Sequence, residues 1–107
     1  MLFEKDKIEN LKINKDIIID FLRKHKFLLK EEYGVKEIAL FGSFARGEES
    51  LKSDIDLLIE MENVSFRNKI KLKRFLEEKF KRRVDIGYLN SVRIFIKKQI
   101  EKDLIYA

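Results

Sequence analysis

The sequence predicts a small α/β domain, α+β by its layering: a short mixed β-sheet with helices packed on one face. Three observations lead there. Segments with apolar residues at helical spacing alternate with short segments of strand-like apolar pattern. Proline is absent and glycine occurs only four times in 107 residues, so the elements are joined by short turns. Hydrophobic residues make up 45% of the chain, enough to fill the core of one domain near the common domain size. A single domain over residues 1–107 is therefore expected.

The first dozen residues show weak apolar spacing at Ile8 and Leu11 and are expected to form a short helix, an arm that docks on a partner. Residues 15–33 are predicted to be one helix. Asn14 is its N-cap, and Ile18, Phe21, Leu22, His25, Leu28 and Leu29 form its apolar stripe. His25 lies on that stripe and is read as a packed residue rather than a ligand. Gly34 follows as the residue that lets the chain leave the helix with positive φ. Residues 36–41, KEIALF, are a strand running into Gly42-Ser43, and a short helix through Phe44, Ala45 and Arg46 ends at Gly47.

Residues 54–61, DIDLLIEM, are a second strand. Ile55, Leu57, Ile59 and Met61 face one way, while Asp54, Asp56, Leu58 and Glu60 face the other. Residues 66–80 are a long helix buried through Leu72, Phe75, Leu76 and Phe80. Residues 83–88, RVDIGY, are a third strand. Asn90 or Ser91 then caps a last helix with Val92, Phe95, Ile96 and Ile100 on one face.

Composition removes several classes of chemistry. Cysteine is absent, which excludes disulfides, zinc–thiolate sites and cysteine nucleophiles. A single histidine excludes an all-His metal site, and a Ser–His triad would need a second chain. No apolar run approaches the ~20 residues needed to cross a bilayer. The N-terminus has no signal-peptide pattern, so a cytoplasmic protein is expected and no membrane partner. Net charge is +5, from 24 basic and 19 acidic residues. That permits contact with phosphates or an acidic partner without requiring it. The densest basic stretch, 67–83, holds Arg67, Lys69, Lys71, Lys73, Arg74, Lys79, Lys81, Arg82 and Arg83. It reads equally as a partner-binding surface or a solvated helix face.

Three features carry chemistry. Gly42-Ser43 sits where a strand turns into a helix. Glycine there lets a phosphate approach backbone N–H groups, and the Ser43 hydroxyl adds a donor. Arg46, one turn on, is placed to reach a phosphate or to steady the loop. Asp54-Ile55-Asp56 puts two carboxylates on one strand face, about 6.6 Å apart along the chain. Two such charges at ~4 Å repel by about 4 kcal/mol at an effective dielectric of 20. A hard divalent cation removes that repulsion, and Mg²⁺ suits an all-oxygen site completed by water and substrate phosphates. Asp85, between Val84 and Ile86, is an acid within an apolar strand. If its strand lies beside the second, three carboxylates share one face and can hold two cations roughly 3.5–4 Å apart. Glu60 shares the acid face as a rim residue, and Ser53 turns the chain into the second strand.

The run GSFARGEESLKSDIDLLIE, residues 42–60, together with Asp85 after the next helix, resembles the signature of polymerase-β-type nucleotidyltransferases. Within that superfamily the chain is similar to the minimal nucleotidyltransferases, the antitoxins that accompany HEPN-domain toxins. The resemblance implies ATP as substrate, with Gly42 and Ser43 at its triphosphate and Arg46 nearby. It implies Asp54, Asp56 and Asp85 as both catalytic residues and Mg²⁺ ligands in a two-cation site, with Asp85 helping to deprotonate the acceptor. It also implies transfer of AMP to a tyrosine hydroxyl of a cognate HEPN toxin, in a hetero-oligomer. The alternatives are a non-catalytic antitoxin that neutralises its partner by binding, and transfer to RNA or a small hydroxylated molecule. The short chain disfavours both of these acceptors, since neither would have a pocket, and only the basic stretch favours RNA.

Overall fold

The computed structural model describes residues 12–91 and 101–107. The elements in chain order are α1 (Lys15–Lys24), α2 (Lys26–Tyr33), β1 (Val35–Phe41), α3 (Gly42–Arg46), β2 (Ile55–Met61), α4 (Phe66–Phe80), β3 (Val84–Tyr88) and β4 (Ile105–Tyr106). The expected N-terminal arm lies almost wholly outside the described residues, as do Val92, Phe95, Ile96 and Ile100 of the expected last helix. Residues 89–91 are already helical, so Asn90 and Ser91 lie inside a helical turn rather than ahead of it.

The sheet has the order β3-β2-β1-β4. β1 pairs antiparallel with β2 and with β4, while β2 and β3 run parallel with α4 as their crossover. The sequence pattern does not predict the fourth strand. It is two residues long, too short for alternation to show, and Tyr106 and Ile105 pair with Ala39 and Leu40.

The predicted helix over 15–33 is two helices broken at His25. The His25 Nδ1 lies 2.8 Å from the Phe21 carbonyl oxygen, which also accepts the His25 backbone N–H at 3.1 Å. A side chain competing for a helical acceptor loosens the helix at that point. The imidazole stacks on Phe21 with ring centroids 4.1 Å apart, so its packed role stands. Both expected ends are present. The Ile17 N–H donates to Asn14 Oδ1 at 2.9 Å, and Gly34 takes φ 71°.

One face of the sheet (Ile38, Leu40, Ile55, Leu57, Ile59, Val84, Ile86) packs under Ile18, Leu22 and Leu29 of α1 and α2, Phe44 of α3, and Leu72, Leu76 and Phe80 of α4. Ala39, Leu58 and Leu89 are buried outside this cluster. The Phe80 ring meets Phe21 edge-on at 5.0 Å, locking α4 to α1. Phe80→Ala is therefore expected to cost about 3–5 kcal/mol, measured by denaturant unfolding. Among the described residues no helix is long and apolar enough to cross a membrane.

Candidate active site

The site forms at the end of the sheet where β1 gives way to α3. Phe41, the last residue of β1, stands opposite Asp56 in β2, and Asp56 stands opposite Asp85 in β3. The Gly42 turn, Asp56 and Asp85 are thus neighbours across the ladder. The turn depends on glycine for two reasons. Gly42 has φ 77°, a left-handed conformation that side chains disfavour. A Cβ there would also run into the Asp56 carboxylate.

Ser43 is the second residue of α3, half-buried beside that turn. The first turn of any helix leaves backbone N–H groups without intrahelical acceptors. Gly47 ends α3 at φ 71°, as expected, and the Glu48 N–H closes back on the Ser43 carbonyl at 2.9 Å. Arg46 Nε donates to Glu48 Oε1 at 2.9 Å, and its NH1 lies 3.8 Å from Asp103 Oδ2. The hydrogen bond to Glu48, with the nearby Glu48, Asp103 and Asp56 charges, holds the guanidinium pKa above its usual value. Arg46 thus steadies the end of α3, while its charge still lowers the pKa of Asp56.

The loop from Gly47 to Asp54 is stitched together by serines. Ser53 Oγ accepts the Ser50 N–H at 2.8 Å, which turns the chain into β2 as the sequence suggests. β2 begins at Ile55, so Asp54 stands just ahead of the strand rather than on it. Its Oδ1 lies 3.5 Å from Arg83 Nε, with the side chains 43% and 84% exposed. A pair this open contributes at most about 1 kcal/mol, so Asp54 remains available to a stronger cation.

Asp85 is exposed. A buried acid inside an apolar strand would be costly unless paired, hydrated or bound to metal, but alternation turns Val84 and Ile86 into the core and Asp85 to solvent. Asp56 carries the strain instead. Burial raises its pKa first, then repulsion from Asp85 and Asp54, against a partial offset from Arg46. A half-buried carboxylate repelled by two others is the electrostatic setting a divalent cation relieves, and the donors are all oxygen, as Mg²⁺ prefers. Among the described residues the acids do not close into a ready-made coordination shell. Water and substrate phosphates would have to complete it.

Glu60, on the acid face, is only 20% exposed and lies 3.7 Å from Lys36 Nζ, a rim position away from the turn. Three residues of α4 and the α4–β3 turn contribute: Glu77, not singled out by sequence, and Arg82 and Arg83, singled out only as members of the basic stretch. The Arg83 carbonyl accepts the Ile55 N–H at 2.9 Å, Glu77 Oε2 accepts the Val84 N–H at 3.0 Å, and Arg82 reaches the 50–53 loop. The signal for the two arginines is their placement immediately before the Asp85 strand, hidden within a longer basic run.

Comparison with known proteins bears on the family. A family model described as "Nucleotidyltransferase domain" matches residues 22–107. A Methanocaldococcus jannaschii protein, provisionally named a protein adenylyltransferase, is 45% identical over 94 residues, covering 84% of this chain and 94% of its own. The protein adenylyltransferase MntA of Thermococcus cleftensis is 37% identical over 91 residues, covering 84% and 92%. A solved structure provisionally described as a minimal nucleotidyltransferase superposes with a TM-score of 0.70 at 28% identity, over 87% of this chain and 95% of that one. A toxin–antitoxin crystal structure with AMP-PNP shares the fold, with a TM-score of 0.62 at 23% identity over 88% and 72%. With its fold, its sheet-end turn and these relatives, the chain belongs to the nucleotidyltransferase domain family, among the minimal nucleotidyltransferases.

Proposed function

We propose that this nucleotidyltransferase moves AMP from ATP to a tyrosine hydroxyl of a cognate HEPN-domain toxin and so acts as its antitoxin. The observation that carries the reading is the row across the sheet end: the Gly42–Ser43 turn, Asp56, then Asp85. Relatives at 45% and 37% identity named as protein adenylyltransferases support a protein acceptor. The tyrosine and the HEPN partner rest on the family resemblance.

In this reading Gly42 and Ser43 receive the triphosphate at the start of α3. Asp54, Asp56 and Asp85 would hold Mg²⁺, which would neutralise the charge of the phosphates and of the departing pyrophosphate. Exposed Asp85 stands where an acceptor arrives from solvent and takes the hydroxyl proton. The tyrosine oxygen bonds to the α-phosphorus as the bond to the β-phosphate oxygen breaks, and pyrophosphate leaves. Arg46, held by Glu48, steadies the α3 turn. ATP as donor fits a cytoplasmic setting.

One observation favours a contribution from binding itself. Val64 and Phe66 are 76% and 68% exposed beside the basic face of α4, an apolar surface suited to a protein partner. The test is incubation of the chain with ATP, Mg²⁺ and the product of the adjacent toxin gene, followed by peptide mapping. AMP is expected on a toxin tyrosine, and the matching Tyr→Phe toxin is expected to stay unmodified and active. Toxin silenced in a complex without modification would favour binding alone. AMP on RNA would identify a different acceptor.

A further inference from the structure

Arg82 belongs to a basic run in sequence, yet the fold turns it inward. α4 gives way at Lys81, a non-glycine residue at φ 53°, and this left-handed step redirects the chain just before Arg82. The Arg82 NH1 donates to the carbonyls of Ser50 and Ser53, each at 3.0 Å, and lies 3.4 Å from that of Leu51. The same guanidinium sits 5.3 Å from the ring centroid of Phe44, which is fully buried in α3. One side chain therefore joins the α4–β3 turn, the loop that delivers Asp54, and the helix that opens at Gly42.

We infer that Arg82 is a positioning residue for nucleotidyl transfer, holding the 50–53 loop so that Asp54 is presented alongside Asp56 and Asp85. This rests on the proposed assignment of the three acids to the cation site. Ser53 precedes Asp54 directly, and Asp54 lies ahead of β2, where the Ile55 N–H to Arg83 carbonyl bond begins the ladder and the exposed Arg83 side chain is a weak partner. Without Arg82, the loop keeps its internal serine bonds and the open Asp54–Arg83 pair but loses its hydrogen bonds to the turn that leads into the Asp85 strand. A guanidinium suits this position because its charge lies over a ring while its N–H groups donate to carbonyls. Lysine keeps the charge but lacks the forked set of donors.

The test measures Mn²⁺ binding, with Mn²⁺ as the probe cation, by electron paramagnetic resonance on wild type, Arg82→Ala, Arg82→Lys, the Asp54→Asn, Asp56→Asn double variant and the surface control Lys73→Ala. Thermal unfolding of each protein is followed in parallel. Arg82 is only half-buried and none of its carbonyl partners lies in the apolar core, so both Arg82 variants are expected to fold. Arg82→Ala is expected to weaken Mn²⁺ binding by about 10–100-fold, the usual range for residues that orient metal ligands. Arg82→Lys is expected to fall between it and wild type, and Lys73→Ala to match wild type. Arg82→Ala and Arg82→Lys proteins that unfold as wild type does and bind Mn²⁺ with wild-type affinity would overturn the inference, while loss of binding in the double variant would leave the site itself standing. Wild-type binding in the double variant would remove the cation site, and the role of Arg82 with it.

Discussion

Asp56→Asn is expected to abolish nucleotidyl transfer and at the same time to stabilise the cation-free protein. The two effects have one source. Burial and the repulsion of Asp85 and Asp54 raise the Asp56 pKa, so the fold favours its neutral form. The stabilisation from this group is fully present below the ordinary carboxylate value of about 3.9 and is lost as pH rises through the raised one. At neutral pH the charged carboxylate works against the fold. Asparagine keeps the size and removes the charge. Thermal unfolding in EDTA at neutral pH should therefore show a higher Tm for Asp56→Asn than for wild type, with the gap closing as the buffer falls below about pH 4. Mg²⁺ should raise the Tm of wild type and leave the variant nearly unchanged. Transfer should fall by at least about 10²-fold, the scale for removing one preorganised electrostatic group. A variant less stable than wild type at every pH would show that Asp56 is there for structure.

Gly42→Ala should be nearly as damaging to transfer, and by a different route. The backbone at φ 77° costs a side chain about 1–2 kcal/mol. The new methyl group also occupies the space of the Asp56 carboxylate, so the acid has to move. Displacement of a reacting group by about 1 Å can cost 10²-fold in rate. Gly47→Ala is the matching control. Its φ of 71° carries the same conformational penalty, but nothing lies within 4 Å of the added Cβ. Both variants should lose similar stability from the backbone, while Gly47→Ala keeps most of its activity. Equal losses of activity would mean that the turn matters only as backbone, not through its contact with Asp56.

Much of the fold is legible in the sequence because the elements obey local rules. Asn14 and Gly34 mark helix ends through their own side-chain and backbone chemistry, and the α4 stripe of Leu72, Leu76 and Phe80 reads directly as a buried face. The acids are legible as types and spacing, an Asp-x-Asp pair followed by a third acid one helix later. Other features depend on tertiary structure. The break at His25 arises from one side chain competing for the Phe21 carbonyl, a local event that periodicity does not register. β4 exists only because β1 offers it an edge. Asp85 looks costly inside an apolar strand, but the exposure of its face depends on what covers the sheet. Arg82 is hidden for the same reason: a basic run gives no sign of which member turns inward until the Lys81 backbone is placed.

In the proposed mechanism the acids at the sheet end drive transfer of a nucleotidyl group, and the position of the label in ATP tests this most directly. The chain and its partner are incubated with Mg²⁺ and either α-labelled or γ-labelled ATP, for wild type and for the Asp54→Asn, Asp56→Asn variant. Label from the α-position should appear on the partner with wild type alone, and γ-label should leave as pyrophosphate. Transfer of γ-label, or equal α-labelling by the double variant, would contradict the account.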